Sequence, residues 1–180
     1  MTYLNKSVII IDNSDLSYSG EDINGTLVRG TEASLILLSE QFVRMGINVD
    51  YCNSIQKKSK FNGVNYFNKN DIIKQKQYDL AIVISDANEF RRVSSLKKAV
   101  FSNSNQPIEK FIRKKQLLPF LKFKPTLITL CDYQYKKRSF FTSFYGKKTI
   151  PITVDPKFLD IEIDQNFLPE KKVVYNIRSN

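Results

Sequence analysis

The sequence predicts an α/β fold with an open, mainly parallel β-sheet flanked by helices. The first observation is that Ser7–Asp12 and Tyr78–Ser85 are apolar runs without polar alternation, which is typical of strands buried on both faces. The second is that such runs alternate with segments of helical periodicity, which favours right-handed crossovers between parallel strands. A chain of 180 residues is long enough to enclose a core of this kind.

The first half of the chain is expected to form a strand, a helix and four further strands. After Ser7–Asp12 and a polar loop, Glu32–Met45 carries apolar residues at helical spacing, and Gly46 stands where a helix C-cap belongs. The further strands are expected at Val49–Asn53, Val64–Phe67, Tyr78–Ser85 and Lys98–Ser102.

The second half continues the alternation. An amphipathic, basic helix is expected from Pro107 to Leu118, with Pro119 ending it because proline lacks the backbone N–H. A strand at Thr126–Cys131, a helix within Gln134–Tyr145 and a strand at Lys148–Val154 follow. The whole series indicates a Rossmann-like sheet.

The sequence pattern changes near residue 155, and this change indicates the domain organisation. Residues 1–155 are expected to form one Rossmann-like domain, and the polar, proline-interrupted residues 156–172 resemble an interdomain linker. Residues 173–180 begin a new strand pattern, which we interpret as the first strand of a second domain that this chain lacks. The alternative is that this strand joins the sheet already described.

The composition excludes several classes of protein. The chain has no histidine, and its two cysteines lie far apart, which excludes histidine-based catalysis and zinc sites that need histidine. No apolar run approaches the ~20 residues of a membrane-spanning helix, and the first residues lack the layout of a signal peptide. A cytoplasmic location is therefore expected.

The positive charge is concentrated in one segment. Between Arg91 and Lys148 there are 15 basic and two acidic residues, whereas the rest of the chain has a net charge of −3. Such asymmetry favours an anionic partner, but a lysine-rich solvated face is an equally good interpretation.

A series of short motifs follows one order along nearly the whole chain. It begins with Gly25–Ser34, continues through Leu38–Val49, and includes the segments 62–66, 78–83, 101–106, 150–155 and 173–178. This series resembles the N-terminal domain of GT-B-fold, family-4-like (group 1) glycosyltransferases. The resemblance implies the acceptor-binding part of an enzyme that moves a sugar from a nucleotide-sugar donor to a cell-surface glycan or lipid-linked acceptor, with retention at the anomeric carbon. No metal or other cofactor is expected, and the absent C-terminal domain would complete the enzyme in cis or in trans.

The resemblance also implies positions for a site, although no catalytic residue is assigned. The acceptor cleft would be lined by Gly30, Thr31, Asp86 and Asn103. Asn103 stands where family members often have histidine, and an amide can bind a hydroxyl but cannot titrate. Gly30 would also approach the donor phosphate, together with Arg178, whose guanidinium matches phosphate oxygens.

Several polar or glycine residues near this cleft also have a structural interpretation. Gly30 can serve the loop turn, and Asn103 lies in an asparagine-rich segment that can cap the following helix. Asp12 and Asp86, at the ends of strands, can be turn formers, and Glu32 is expected to cap its own helix rather than to catalyse.

The basic helix raises a separate hypothesis of binding to an anionic membrane surface. Its cations alternate with large apolar residues, as in segments that lie in a membrane interface. The expected surface consists of Arg113, Lys114, Lys115, Lys122 and Lys124. The alternative function is therefore a non-catalytic truncated or split module that binds an anionic membrane, at the inner face, or a donor-domain partner. Nucleic acid is disfavoured as a partner, because no recognised motif for it is present.

Overall fold

The computed structural model describes residues 5–24, 28–72, 76–102, 112–137 and 146–150, a few of them by their backbone alone. Within these ranges, eight strands form one sheet in the order β3-β4-β2-β1-β5-β6-β7-β8. The strands are β1 (Ser7–Ile11), β2 (Asn48–Asn53), β3 (Ser59–Phe61), β4 (Val64–Asn68), β5 (Gln77–Ile84), β6 (Ser94–Ser102), β7 (Thr126–Thr129) and β8 (Lys147–Thr149).

The described helices are few and mostly short. The α-helices are α1 (Gly30–Arg44), α2 (Leu117–Phe123) and α3 (Asp132–Lys137), and the 3-10 helices are η1 (Gly20–Asn24), η2 (Lys69–Asp71) and η3 (Ala87–Arg91). The prediction of an α/β fold with a mainly parallel sheet is confirmed, while the flanking by helices is sparser than expected.

The sheet is parallel except for β3, which pairs with β4 in the antiparallel sense. From the central strand β1 the chain first builds outward through β2 and β4, and then returns to β5 and builds in the other direction. The strand order therefore reverses between β1 and β5. In open α/β sheets, the crevice at the carboxyl ends of the strands at such a reversal is where ligands bind.

Strand β1 is central because its side chains are apolar on both faces. Ile9, Ile10 and Ile11 are fully buried, and Val8 is nearly so. Ile10 belongs to the apolar cluster beneath α1, whereas Ile9 and Ile11 belong to the cluster on the opposite face. Successive side chains of a strand alternate between faces, so a continuous apolar run serves both clusters.

The predicted C-terminus of α1 is confirmed. Gly46 adopts φ +80°, its N–H donates to the carbonyl of Val43, and the N–H of Ile47 donates to that of Phe42. These two bonds form a Schellman motif, in which a residue with positive φ closes the last turn.

Two connections between parallel strands contain no α-helix. The nine residues from Ser85 to Val93 join β5 to β6 through η3, and β3 occupies the connection from β2 to β4. A helical crossover usually takes a dozen residues or more, so these connections are too short to contain one. This is the physical reason that helices flank the sheet sparsely.

The role of Pro119 was predicted incorrectly. Pro119 lies in the first turn of α2, which begins at Leu117, so it does not end a helix. The first N–H groups of a helix have no intrahelical partner, and proline is therefore tolerated there. Lys115, with φ 53°, breaks the chain direction before α2, and the side chain of Gln116 donates to the carbonyl of Ser85.

Several element bounds differ from those predicted. Strand β6 begins at Ser94, four residues earlier than expected. Its first residues are polar and rich in lysine, so the sequence does not indicate a strand there, but they pair with β5. The β3–β4 hairpin was not predicted. The proposed linker at 156–172, the strand at Val173–Arg178 and the start of the helix at Pro107 lie outside the described residues.

Candidate functional site at the carboxyl edge of the sheet

Three of the predicted site residues lie at the carboxyl edge where the strand order reverses. Gly30 and Thr31 begin α1, which packs on β2 and β4, and Asp86 follows β5. The topology thus places them on the same edge but on opposite sides of the reversal. Asn103 and Arg178 lie outside the described residues.

The N-terminus of α1 is open at this edge. Its N-cap residue, Arg29, has an extended backbone and makes no side-chain cap bond. Gly30 is exposed, and a Cβ added to it would meet no atom within 4 Å. The space beside Gly30 is therefore free of the described chain, and the positive end of the helix dipole lies at this point.

Glu32, which was expected to cap α1, lies in the first turn of this helix. Glu32 is 8% exposed, and among the described residues no hydrogen-bond partner lies near its buried Oε2. The pKa of Tyr51 is raised mainly by burial and by the Asp12 carboxylate, and the nearby charge of Glu32 adds to the same shift. A carboxylate in the first turn still interacts favourably with the helix dipole.

Asp12, at the end of β1, is fully engaged in organising its own loop. Its Oδ1 accepts a bond from the N–H of Ser14 at 2.9 Å, and its Oδ2 accepts bonds from the hydroxyls of Ser14 and Tyr18 at 2.9 and 2.5 Å. The hydroxyls of Tyr18 and Tyr51 lie 2.7 Å apart. This network supports the interpretation of Asp12 as a turn former.

Asp86 likewise has a structural partner. It is the N-cap of η3, and its Oδ1 accepts bonds from the backbone N–H and the side-chain amide of Asn88, both at 2.9 Å. The residue is nevertheless half-buried rather than enclosed, so Oδ2 can still meet a ligand at the edge.

The five cations that were predicted to bind an anionic membrane surface are all exposed. Arg113, Lys114 and Lys115 precede α2, Lys122 lies within it, and Lys124 follows it with φ 47°. All five therefore lie before, within or directly after α2.

Large apolar side chains are exposed among these cations. Leu118 is 71% exposed, Ile112 59% and Leu121 42%. Leu118 and Leu121 line a surface groove of about 550 Å³ together with Arg91, Pro119 and Lys122. The other face of α2 packs on η3, where the rings of Phe90 and Phe123 lie 5.8 Å apart, so α2 is fixed to the domain by one face and open on the other.

A second polar cluster was not singled out from the sequence. It centres on Asp50 in β2, a carboxylate that is buried at 7% exposure and surrounded by Asn65, Lys76 and Tyr78. The available signal was an aspartate between Val49 and Tyr51 within a strand, since buried carboxylates require partners.

The residues that the structure describes show neither a metal-binding cluster nor a membrane-spanning helix. No group of three or more cysteine, aspartate or glutamate side chains in these ranges could hold a metal ion. In the same part of the chain, no helix is both long enough and apolar enough to cross a membrane.

No protein-family model, curated protein or solved structure matches this chain. The fold and the carboxyl edge of the sheet place the chain in a broad class, the α/β proteins with a mainly parallel sheet. In this chain the strand order reverses beside the N-terminus of α1.

Proposed function

We propose that this chain is the acceptor-side part of a glycosyltransferase that uses a nucleotide-sugar donor. The proposal rests on the motif series that resembles GT-B-fold transferases. The observation that carries it is the open N-terminus of α1 at the carboxyl edge where the strand order reverses. In α/β sheets this crevice is the usual ligand site, and a helix N-terminus there favours an anionic group.

The proposed chemistry assigns roles by position. Gly30 lets the backbone approach the donor diphosphate, and the dipole of the 15-residue α1 stabilises the negative charge that develops on that leaving group. Thr31, Asp86 and Asn103 would hold the acceptor by hydrogen bonds, and Arg178 would contact the donor phosphate. The acceptor would be a cell-surface glycan or a lipid-linked sugar, and the donor would be held mainly by a C-terminal domain in cis or in trans.

The test is a Gly30→Val substitution in the native gene product. The valine side chain enters the open space beside Gly30, so the fold is kept while the approach of the diphosphate is blocked. Release of nucleoside diphosphate is measured with a panel of nucleotide sugars and of glycan and lipid-linked acceptors. We expect the rate to fall at least tenfold, on the order of the loss seen when one such electrostatic contact is removed.

Gln41→Val is the matched control, because Gln41 is exposed on the same helix but far from the edge. It should leave the rate within about twofold, since it places the same side chain on α1 away from the carboxyl edge. Failure of every donor and acceptor pair to release the diphosphate, or an equal loss in both variants, would contradict the proposal.

The second candidate function is a module that binds an anionic membrane, and the exposed leucines of α2 favour it. A surface that combines Leu118 and Leu121 with five exposed cations suits a bilayer interface, where apolar groups enter the headgroup boundary and cations meet anionic lipid. The protein would then be peripheral at the inner face of the membrane. This function is compatible with the first, because a lipid-linked acceptor lies at such a surface.

Vesicle flotation tests this second function. Vesicles of equal parts phosphatidylglycerol and phosphatidylcholine are compared with vesicles of phosphatidylcholine alone. The triple substitution K114Q, K122Q and K124Q should weaken binding to the anionic vesicles on the order of 100-fold, because each cation near such a surface contributes about 1 kcal/mol. The combined L118S and L121S substitutions should also weaken it.

Lys57 and Lys97, which are exposed outside this surface, provide the control pair when both are changed to glutamine. Equal losses in the control and the triple variant would indicate an effect of net charge alone. Binding to oligonucleotides but not to anionic vesicles would instead favour nucleic acid as the partner.

A further inference from the structure

A pocket of about 440 Å³ lies on the sheet face opposite α1. Asp50, Asn65 and Tyr78 line it, and they are the second or third residues of β2, β4 and β5. The pocket is therefore at the amino-terminal half of the strands, away from the carboxyl edge. Its volume is within the range of small-molecule sites.

Asp50 organises the polar side of the pocket. Its Oδ2 accepts bonds from Lys76 Nζ at 2.6 Å and from the Tyr78 hydroxyl at 2.7 Å, and its Oδ1 accepts one from Asn65 Nδ2 at 2.9 Å. Burial opposes ionisation of this carboxyl, but the bonds from Lys76, Asn65 and Tyr78 outweigh it and hold the pKa of Asp50 below its ordinary value. The carboxylate is thus charged and fully partnered.

The network fixes an ammonium group at the mouth of the pocket. The side chain of Lys76 is 46% exposed, and its Nζ lies 4.8 Å from the centre of the Tyr78 ring. An ammonium has three N–H donors, and the described contacts with Asp50 use one of them. Lys76 is therefore held in place while two donors remain for a ligand.

A second ammonium group faces the same pocket. Lys60 pairs with Asn65 across the β3–β4 ladder, so both side chains lie on the face of Asp50. Lys60 is exposed, and Lys58, at the rim, lies 3.8 Å from Asp71. The cations exceed the carboxylates that line the pocket, which favours an anion.

The pocket also has an aromatic wall away from Lys76. Phe67 lines it, is half-buried, and packs against the core cluster on this face. A flat aromatic ring favours a planar partner, which can stack on it.

We propose that this pocket binds a small molecule in which a phosphate-type anion is joined to a planar ring. The anion lies between Lys76 and Lys60, and the ring lies against Phe67. The site is independent of the proposed glycosyl transfer, because it shares no residue with the carboxyl edge.

The test uses adenosine monophosphate as the probe, with adenosine as the ring alone and inorganic phosphate as the anion alone. The chain is labelled with ¹⁵N, and amide shifts are followed by nuclear magnetic resonance during titration. We expect the monophosphate to bind at least tenfold more tightly than either part and to shift the amides of Asn65, Phe67 and Tyr78. Absence of saturable binding, or shifts confined to Gly30 and Asp86, would overturn the proposal.

Two variants separate the two contacts of the ligand. Lys60→Gln should weaken the monophosphate and phosphate but leave adenosine unchanged. Phe67→Leu should weaken the monophosphate and adenosine but leave phosphate unchanged. Neither residue belongs to the Asp50 network, so the fold is kept. Lys122→Gln, at an exposed residue of α2 that does not line the pocket, should change none of the three affinities. Equal affinities in all variants would also overturn the proposal.

Discussion

The hydroxyl of Tyr18 donates to Oδ2 of Asp12 at 2.5 Å and so ties the loop before α1 to the end of β1. The same hydroxyl lies 2.7 Å from that of Tyr51, and the backbone carbonyl of Tyr18 accepts a bond from Asn53 at 2.7 Å. Burial, together with the neighbouring Tyr51 and the Asp12 carboxylate, raises the pKa of Tyr18. This tyrosine is thus a neutral hydrogen-bond donor that shapes the edge.

We expect Tyr18→Phe to lower the free energy of unfolding by about 1.5–3 kcal/mol, because a buried bond to a charged acceptor is lost. The measurement is urea unfolding followed by circular dichroism. Tyr66→Phe is the matched control: the Tyr66 hydroxyl is buried with no partner among the described residues, so its removal should be neutral or stabilising. A larger loss for Tyr66→Phe than for Tyr18→Phe would contradict this account.

The Asn62-Gly63 turn gives a second prediction. Gly63 has φ +83°, and a Cβ there would lie 2.5 Å from Val43 Cγ1 of α1. Gly63→Ala should therefore cost the strain of positive φ and also a steric clash, roughly 2–4 kcal/mol together. Gly46→Ala should cost only the strain, about 1–2 kcal/mol, since its φ of +80° is similar but no atom lies within 4 Å.

Thermal unfolding of both variants, and of Gly63→Ala combined with Val43→Ala, tests this difference. The double variant should recover the part of the loss that comes from the clash. Equal losses of stability in Gly63→Ala and Gly46→Ala would contradict this account, because they would show that α1 accommodates the added methyl group at no cost in free energy.

The Asp50 network predicts a specific dependence of stability on pH. Because the folded pKa of Asp50 is lowered, its contribution is present above the unfolded value of about 4 and is lost as the pH falls through the folded value. The free energy of unfolding should therefore decrease on acidification below about pH 4.

Asp50→Asn should make this decrease shallower, and its stability at neutral pH should also fall, because Lys76 loses a charged partner. Unfolding in urea at a series of pH values measures both effects. Asp15→Asn, at a fully exposed side chain, is the control and should leave the curve unchanged. An unchanged acid limb in Asp50→Asn would contradict the assignment.

The two cysteines should differ sharply in reactivity. Cys131 is exposed, whereas Cys52 is buried in β2, where burial and the nearby Asp50 carboxylate raise the pKa of its thiol. A disulfide reagent should therefore modify one thiol of the native protein quickly and the second only on unfolding. Cys131→Ser should abolish the fast phase, and a fast phase that persists in this variant would show that β2 is accessible.

The central strands could be predicted because continuous apolar runs of this length are typical of strands buried on both faces of a sheet. Val8–Ile11 and Ala81–Val83 are continuous enough to require a partner on both faces. Strand β6 shows the limit of this argument, since its lysine-rich start is a strand only because β5 pairs with it. The β3–β4 hairpin had a local signal in Asn62-Gly63, because an Asn-Gly pair favours a tight hairpin turn in which both residues have positive φ.

The candidate site was predictable in its location but less so in its contacts. Parallel strands place Asp12 and Asp86 at one edge whatever the details, yet the partners of these carboxylates depend on loop geometry. Glu32 is the clearest case: its position in the first turn of a helix suggested a cap, but the sequence did not predict that its side chain is buried at 8% exposure. The Asp50 pocket joins residues from four strands, and no local pattern contains such a set.

The central position of β1 has a consequence for synthesis of the chain. The backbone N–H of Ser7 bonds to the side chain of Asp79, a partner 72 residues later. At about 5–20 residues per second, β1 emerges from the ribosome on the order of 4–15 s before β5 can cover its second edge. During that interval the run Val8–Ile11 is an apolar strand with unpaired backbone groups, which is the kind of segment that aggregates or recruits a chaperone.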